Sequence, residues 1–187
     1  METRKIVSDF KTDDKRTVEG YAAIFESPSE YIGWTEIIHR GAITEDTIKN
    51  SDVLAMFNHN EDKVLARSNK GEGSLLLEID DKGLRYMFEA PKTALGDELL
   101  EYLKRGDISQ SSFAFTISKD KGAERWHKEG NTIYRDIYKI ERLFDVSPVF
   151  QPAYSATSCS ARYAEVKAQS EEIDNKMNLI IDEIQRL

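Results

Sequence analysis

A mostly β fold with some helix (α+β), built as an antiparallel sheet or barrel, is predicted by three observations. Short runs alternate apolar and polar residues, a turn of hairpin type joins two of them, and few stretches carry helical periodicity. The chain has 187 residues, enough for one well-filled core and short for two. The expected organisation is one domain over residues 1–163 with a C-terminal helical appendage over residues 164–187.

Residues 17–25, "TVEGYAAIF", read as a strand in which Gly20 permits a bend or close backbone approach. An irregular segment with Pro28 and Gly33 follows, and Thr44 stands as the N-cap of a short helix. Strand character returns in "DVLAMFNHN", then in "SLLLEID" and "GLRYMFEA", which flank Asp81, Lys82 and Gly83 as the arms of a tight hairpin. In "KTALGDELLEYLKRGD", Leu95, Leu99 and Leu103 line one helical face, cations occupy the last turn, and Gly106 stops the helix. The helix delivers the chain to "DISQSSFAFTIS". There Phe113, Phe115 and Ile117 share one side, while Ser112, Ala114 and Thr116 share the other.

"DKGAERWHKEGN" reads as a polar excursion, and "TIYRDIYKIERLFDVSPVF" as further extended structure ending at Pro148. Beyond Ala164, the positions Ile173, Met177, Ile180, Ile184 and Leu187 carry the spacing of a coiled-coil seam. Packing on the chain's own domain, self-association into a homodimer and docking on a partner all fit such a seam.

Composition narrows the function. Hydrophobic residues make up 40% and charged residues 32%, a soluble balance with a heavily solvated surface. The formal net charge of -8, with cations scattered among acids, argues against nucleic-acid binding, which draws on clustered Lys and Arg. No apolar run reaches the ~18 residues of a membrane span. The N-terminus "METRKIVSDFKTDDKR" is charged where a secretory signal is apolar, so a cytoplasmic protein without membrane contact is expected. The single cysteine, Cys159, excludes an intramolecular disulfide and a multi-cysteine zinc site.

Three histidines are candidates for general-base chemistry, because an imidazole with an ordinary pKa of about 6.5 can take and return a proton near neutrality. His127 falls in the polar excursion, as a solvated loop residue. His39 stands where it can cap or pack beside Gly41. His59 ends the alternating run of Val53, Ala55 and Phe57, so a framework strand would hold it. No two histidines stand at ligand spacing, "HNED" lacks a second imidazole, and no glycine-rich phosphate loop follows a strand; neither a metal nor a cofactor is expected. Cys159 in "SATSCSARY" has no neighbour that would lower its thiol pKa, which favours a passive thiol over a nucleophile.

The succession "VEGYAAIF", "WTEIIHRGAI", "VLAMFNHN", "VLAR", "LLEYLKRGDISQSSFAF" and "FDVSPVFQPAYSAT" resembles the prohead maturation protease family of tailed bacteriophages, over about residues 17–157. The resemblance implies a compact antiparallel β-barrel ringed by helices, similar to the herpesvirus capsid-maturation proteases, and serine endopeptidase activity. It carries the histidine of the "NH" motif onto His59, the serine before Phe in an "SFGF"-like motif onto Ser112, and the acid before "VSPV" onto Asp145. This sequence has Asp145 where Glu is more usual and Ala114 where Gly is frequent.

The chemistry explains these residue types. A serine hydroxyl needs a base to take its proton during attack, and the base works best when a third group fixes its tautomer. An oxyanion site is also required. Arg67 in "VLAR" is a candidate for it, with a surface ion pair as the competing reading. The resemblance further implies action in the host cytoplasm, inside the assembling prohead. Its partners there would be the major capsid protein or a scaffold protein, which it would cut before cutting itself. The competing readings are a non-enzymatic capsid-assembly or scaffold-binding module on the same barrel and a hydrolase using Cys159.

Overall fold

The computed structural model describes residues 1–7, 10–12, 16–29 and 32–150. Strands β1 (Glu2–Val7), β2 (Lys11–Thr12), β3 (Thr17–Ile24) and β4 (Thr35–Ile38) precede helix α1 (Glu45–Lys49). Strands β5 (Asp52–Met56), β6 (Val64–Asn69), β7 (Glu72–Gly73), β8 (Leu75–Ile79) and β9 (Gly83–Glu89) lead to helix α2 (Ala94–Arg105). Strands β10 (Ile108–Ile117), β11 (Glu124–Glu129), β12 (Thr132–Ile137) and β13 (Ile140–Phe150) follow.

The strands form three sheets, ordered β1-β10-β13-β5-β6-β7, β11-β12-β4 and β2-β3-β9-β8. The mostly β class therefore holds, and the expected barrel does not: among the described residues no sheet closes on itself. Two pairings, β12 with β4 and β13 with β5, are parallel, and the two α-helices among the described residues are too few to ring the strands. Closure depends on which distant strands pair, and local alternation carries no information on that. The expected helix over residues 164–187 and Cys159 lie outside the described residues.

Local chemistry accounts for the elements that deliver the site. Thr44 caps α1 through a reciprocal bond with Thr47. Thr93 caps α2 and Gly106 ends it with a left-handed φ of 78°. Leu99 on its inner face is fully buried. The β8–β9 hairpin forms where expected, with Asp80 Oδ1 accepting from the backbone N–H of Lys82 and Gly83. Gly83 is required there, since a Cβ would lie 1.9 Å from the carbonyl oxygen of Ala23.

One segment differs from its sequence reading, and another forms a strand where that reading assigned no element. The polar excursion contains β11, which pairs with β12 from Glu124↔Ile137 to Glu129↔Thr132. The charged N-terminus forms β1, an edge strand on β10. An ionic network holds β1: Arg4 bonds Glu2 and the buried Glu36, and Arg135 bonds Glu2, Glu36 and Glu124. Burial pushes the Glu2 carboxyl up, but Arg135 and Arg4 outweigh it and hold Glu2 below the usual range.

Beneath β10 the predicted alternation holds. Phe113 and Phe115 are fully buried and stacked at 4.8 Å, and the Ser111 hydroxyl is 2.8 Å from the Tyr86 hydroxyl on that side. Burial raises the Tyr86 phenol well above its ordinary value, an effect the Ser111 contact only partly offsets. Its pKa is therefore higher folded than unfolded. Above about pH 10 the unfolded chain releases this proton and the folded chain keeps it, so stability falls as pH rises. Urea unfolding of the wild-type protein should weaken through the alkaline range. In Tyr86→Phe this slope should be smaller by up to ~1.4 kcal/mol per pH unit, and parallel slopes would show that Tyr86 is not its source.

Candidate active site

The site is built on the ladder between β10 and β13. Ser112 stands opposite Ser147, and Ala114 opposite Asp145, so these four side chains share one face. Phe113 and Val146 turn to the other. A bulge at Phe144 lies beside Asp145: Ala114 pairs with Asp145 while Phe115 pairs with Leu143. It lets Leu143 and Val146 both reach the apolar side, although they are three residues apart, and leaves Asp145 on the serine face. Asp145 is 4% exposed and Ser112 and Ser147 are fully buried.

His59 arrives from the neighbouring strand. The sequence placed it at the end of a strand, but β5 stops at Met56, and residues Phe57–His59 form a 3-10 turn. Asn58 (φ 55°) and His59 (φ 58°) are both left-handed, a conformation that costs non-glycine residues of order 1–3 kcal/mol each unless the surroundings hold it. The surroundings do so. Phe57 is buried, packs edge-on against Phe150 at 5.6 Å and stacks on Tyr102 at 6.0 Å. The backbone of Phe57 is bonded from both sides, its N–H to the Lys63 carbonyl and its carbonyl to the Asn60 N–H.

This turn brings His59 Nδ1 to 2.8 Å from Asp145 Oδ1. The opposite ring nitrogen, Nε2, is buried and has no hydrogen-bond partner. Ser147 donates to the same Asp145 oxygen at 2.8 Å. Ser112 is a diagonal neighbour of Asp145 across the ladder, a span of about 7–8 Å between such positions. The Ser112 hydroxyl does not point at His59; it donates to the Arg4 carbonyl of β1 at 2.8 Å. The structure thus brings His59 and Asp145 into contact, and places Ser112 on their face with its hydroxyl turned to the neighbouring strand.

The other candidates lie elsewhere. Arg67 on β6 is exposed and makes a bidentate pair with Asp52, Nε to Oδ1 at 2.7 Å and Nη2 to Oδ2 at 2.5 Å, an ion pair of the kind the competing reading expected. His127 is no loop residue: it sits on β11, stacked on Tyr134, with Nδ1 3.1 Å from Asp136. His39 bonds Asp136 and Glu26 through its two ring nitrogens, each at 2.9 Å. Among the described residues no group of three or more His, Cys, Asp or Glu side chains is arranged to hold a metal ion. Ser147 was missed in the sequence. Its only signal was its place two residues after Asp145 on a strand, which puts both on one face.

A histidine against a buried carboxylate, with its far nitrogen free on a face that carries a serine, is the kind of arrangement from which serine hydrolases are built. Residues 2–172 match the family described as Caudovirus prohead serine protease, and the chain belongs to that family. Among solved structures the chain is similar to that of the bacteriophage T4 capsid assembly protease, gp21, at 11% identity and a TM-score of 0.46, over 81% of this chain and 100% of that one. No curated protein matches the sequence.

The turn that presents His59 makes a stability prediction. Asn tolerates the left-handed region better than most side chains, and Gly adopts it freely. Asn58→Ala should lower the unfolding free energy by about 1–2 kcal/mol in urea titrations, while Asn58→Gly stays close to wild type. Equal losses in both would mean that the backbone at Asn58 is not what the residue is there for.

Proposed function

We propose that the chain is an endopeptidase in which Ser112 is the nucleophile, His59 the general base and Asp145 the group that orients and stabilises the imidazole. The observation that carries this reading is the contact of His59 with Asp145 while Nε2 remains unpartnered on the face of Ser112. The substrate, in keeping with the prohead family, is a scaffold protein or the scaffold-like part of the major capsid protein. The place of action is the interior of the assembling prohead, and the enzyme ends by cutting itself.

The chemistry begins with the Ser112 hydroxyl. The reaction requires this hydroxyl, which donates to the Arg4 carbonyl, to turn about its Cα–Cβ bond to His59 Nε2 as acceptor. Nε2 takes the proton as the oxygen attacks the scissile carbonyl, and the imidazolium is held against Asp145. His59 then gives the proton to the leaving amine, and water attacks the acyl-enzyme by the same route in reverse.

One observation favours a second reading, a non-enzymatic assembly module. Ser112 is fully buried and its hydroxyl is already satisfied by the Arg4 carbonyl. A fluorophosphonate probe separates the two, since it labels an activated serine and leaves a structural one untouched. Co-expressed with capsid and scaffold protein, the Ser112→Ala and His59→Ala variants should show no processing, with unfolding transitions close to wild type. Asp145→Asn should lose most of the rate, on the order of 10⁴-fold for the comparable change in a serine protease. Full processing by Ser112→Ala would remove Ser112 as nucleophile, and an unchanged rate in Asp145→Asn would remove Asp145 from the site.

A further inference from the structure

We infer that Ser147 is a positioning residue of this site, which holds the Asp145 carboxylate in the orientation His59 needs. The inference rests on the assignment of Ser112, His59 and Asp145 proposed above. Ser147 lies two residues along β13 from Asp145, on the same face and opposite Ser112. Its hydroxyl donates to Asp145 Oδ1 at 2.8 Å, and that same oxygen is 2.8 Å from His59 Nδ1. One oxygen therefore faces two polar partners, and one of them belongs to the same strand as the carboxylate.

Three features make this bond more than the closing of a spare hydroxyl. Asp145 is nearly buried, so bulk water is poorly placed to replace a lost donor. Its side chain still rotates about two bonds, and a donor fixed on its own strand restrains the rotation that would turn Oδ1 away from the imidazole. The donor is itself fixed. Pro148 follows Ser147 and biases it to extended backbone, while pairing of Ser111 with Pro148 and Ser112 with Ser147 keeps both in the ladder.

During reaction the positive charge develops on the ring that faces Oδ1. A bond to that oxygen formed beforehand needs no reorganisation at that moment. Ser147 acts through Asp145 and touches neither the nucleophile's proton nor the substrate.

The test uses the full chain and a fluorescent fluorophosphonate, with the labelled residue mapped by peptide mass spectrometry. Rates are compared for wild type, S147A and S147T. Urea unfolding and the proton resonance of His59 Nδ1–H are followed in parallel. S147A should label Ser112 about 10- to 100-fold more slowly, the worth of one hydrogen bond to a charged acceptor expressed in the rate. Its His59 Nδ1–H resonance should move, and S147T, which keeps the hydroxyl, should bring back both rate and resonance. If S147A does not fold, Ser147→Cys, a weaker donor, takes its place with a smaller loss expected.

A wild-type rate with an unmoved resonance overturns the inference, as does labelling of Ser147 itself. If the wild type does not label at all, the assignment of Ser112 fails instead. The resonance then decides for Ser147 alone: a shift in S147A supports its hold on the Asp145–His59 pair, and no shift overturns it.

Discussion

The antiparallel register of β10 on β13 is the constraint on which the rest of the molecule depends. Side chains on paired strands alternate with a period of two, so a slip of one residue exchanges every inward group for an outward one. In the observed register Phe113 and Phe115 meet Val146 and Leu143 on the apolar side, and Ser112 and Ala114 meet Ser147 and Asp145 on the other. The apolar side fixes the register by its burial, and the polar side receives its geometry as a consequence. The forces that fold the sheet therefore act on one face and place the candidate residues Ser112 and Asp145 on the opposite one.

A buried polar row needs its partners built in, because each unsatisfied group costs about 1–3 kcal/mol. Ser112 finds the Arg4 carbonyl, Ser147 finds Asp145, and Asp145 faces His59. The exception is Nε2 of His59. It sits at the end of a left-handed turn anchored by Phe57 between Phe150 and Tyr102, so aromatic packing offsets both the backbone cost and the vacant nitrogen. A strained backbone beside an unpartnered buried nitrogen is what a site held ready for a ligand or proton looks like.

Much of this was legible in the sequence where the physics is local. Alternation in "SSFAF" assigned Ser112 to the face away from the phenylalanines, and cap and turn residues located α2 and the β8–β9 hairpin. What failed were features that exist only through distant partners. β1 is a run of charges whose ladder comes from β10 and whose ions come from Glu36 and Arg135. β11 is polar because it is an edge strand, with the paired β12 between it and β4. The alternation of "VLAMFNH" reads straight through His59, because nothing local announces that the strand ends at Met56. The meeting of His39 and His127 on one aspartate was equally hidden, as the two are far apart in the chain, one just past β4 and the other within β11.

The extra residue at Phe144 works like a shifted reading frame. Upstream of it, β13 shows Leu143 to the interior; downstream, the interior is read by Val146, and Asp145 falls on the opposite side. Were Phe144 taken into the ladder as an ordinary pair, the composition of the strand would not change at all. Regular alternation would nevertheless rewrite which letters are read inward from there, pointing the carboxylate into hydrocarbon and a valine at His59. The acid's identity is thus only half of what defines it; the other half is a count of residues along the strand.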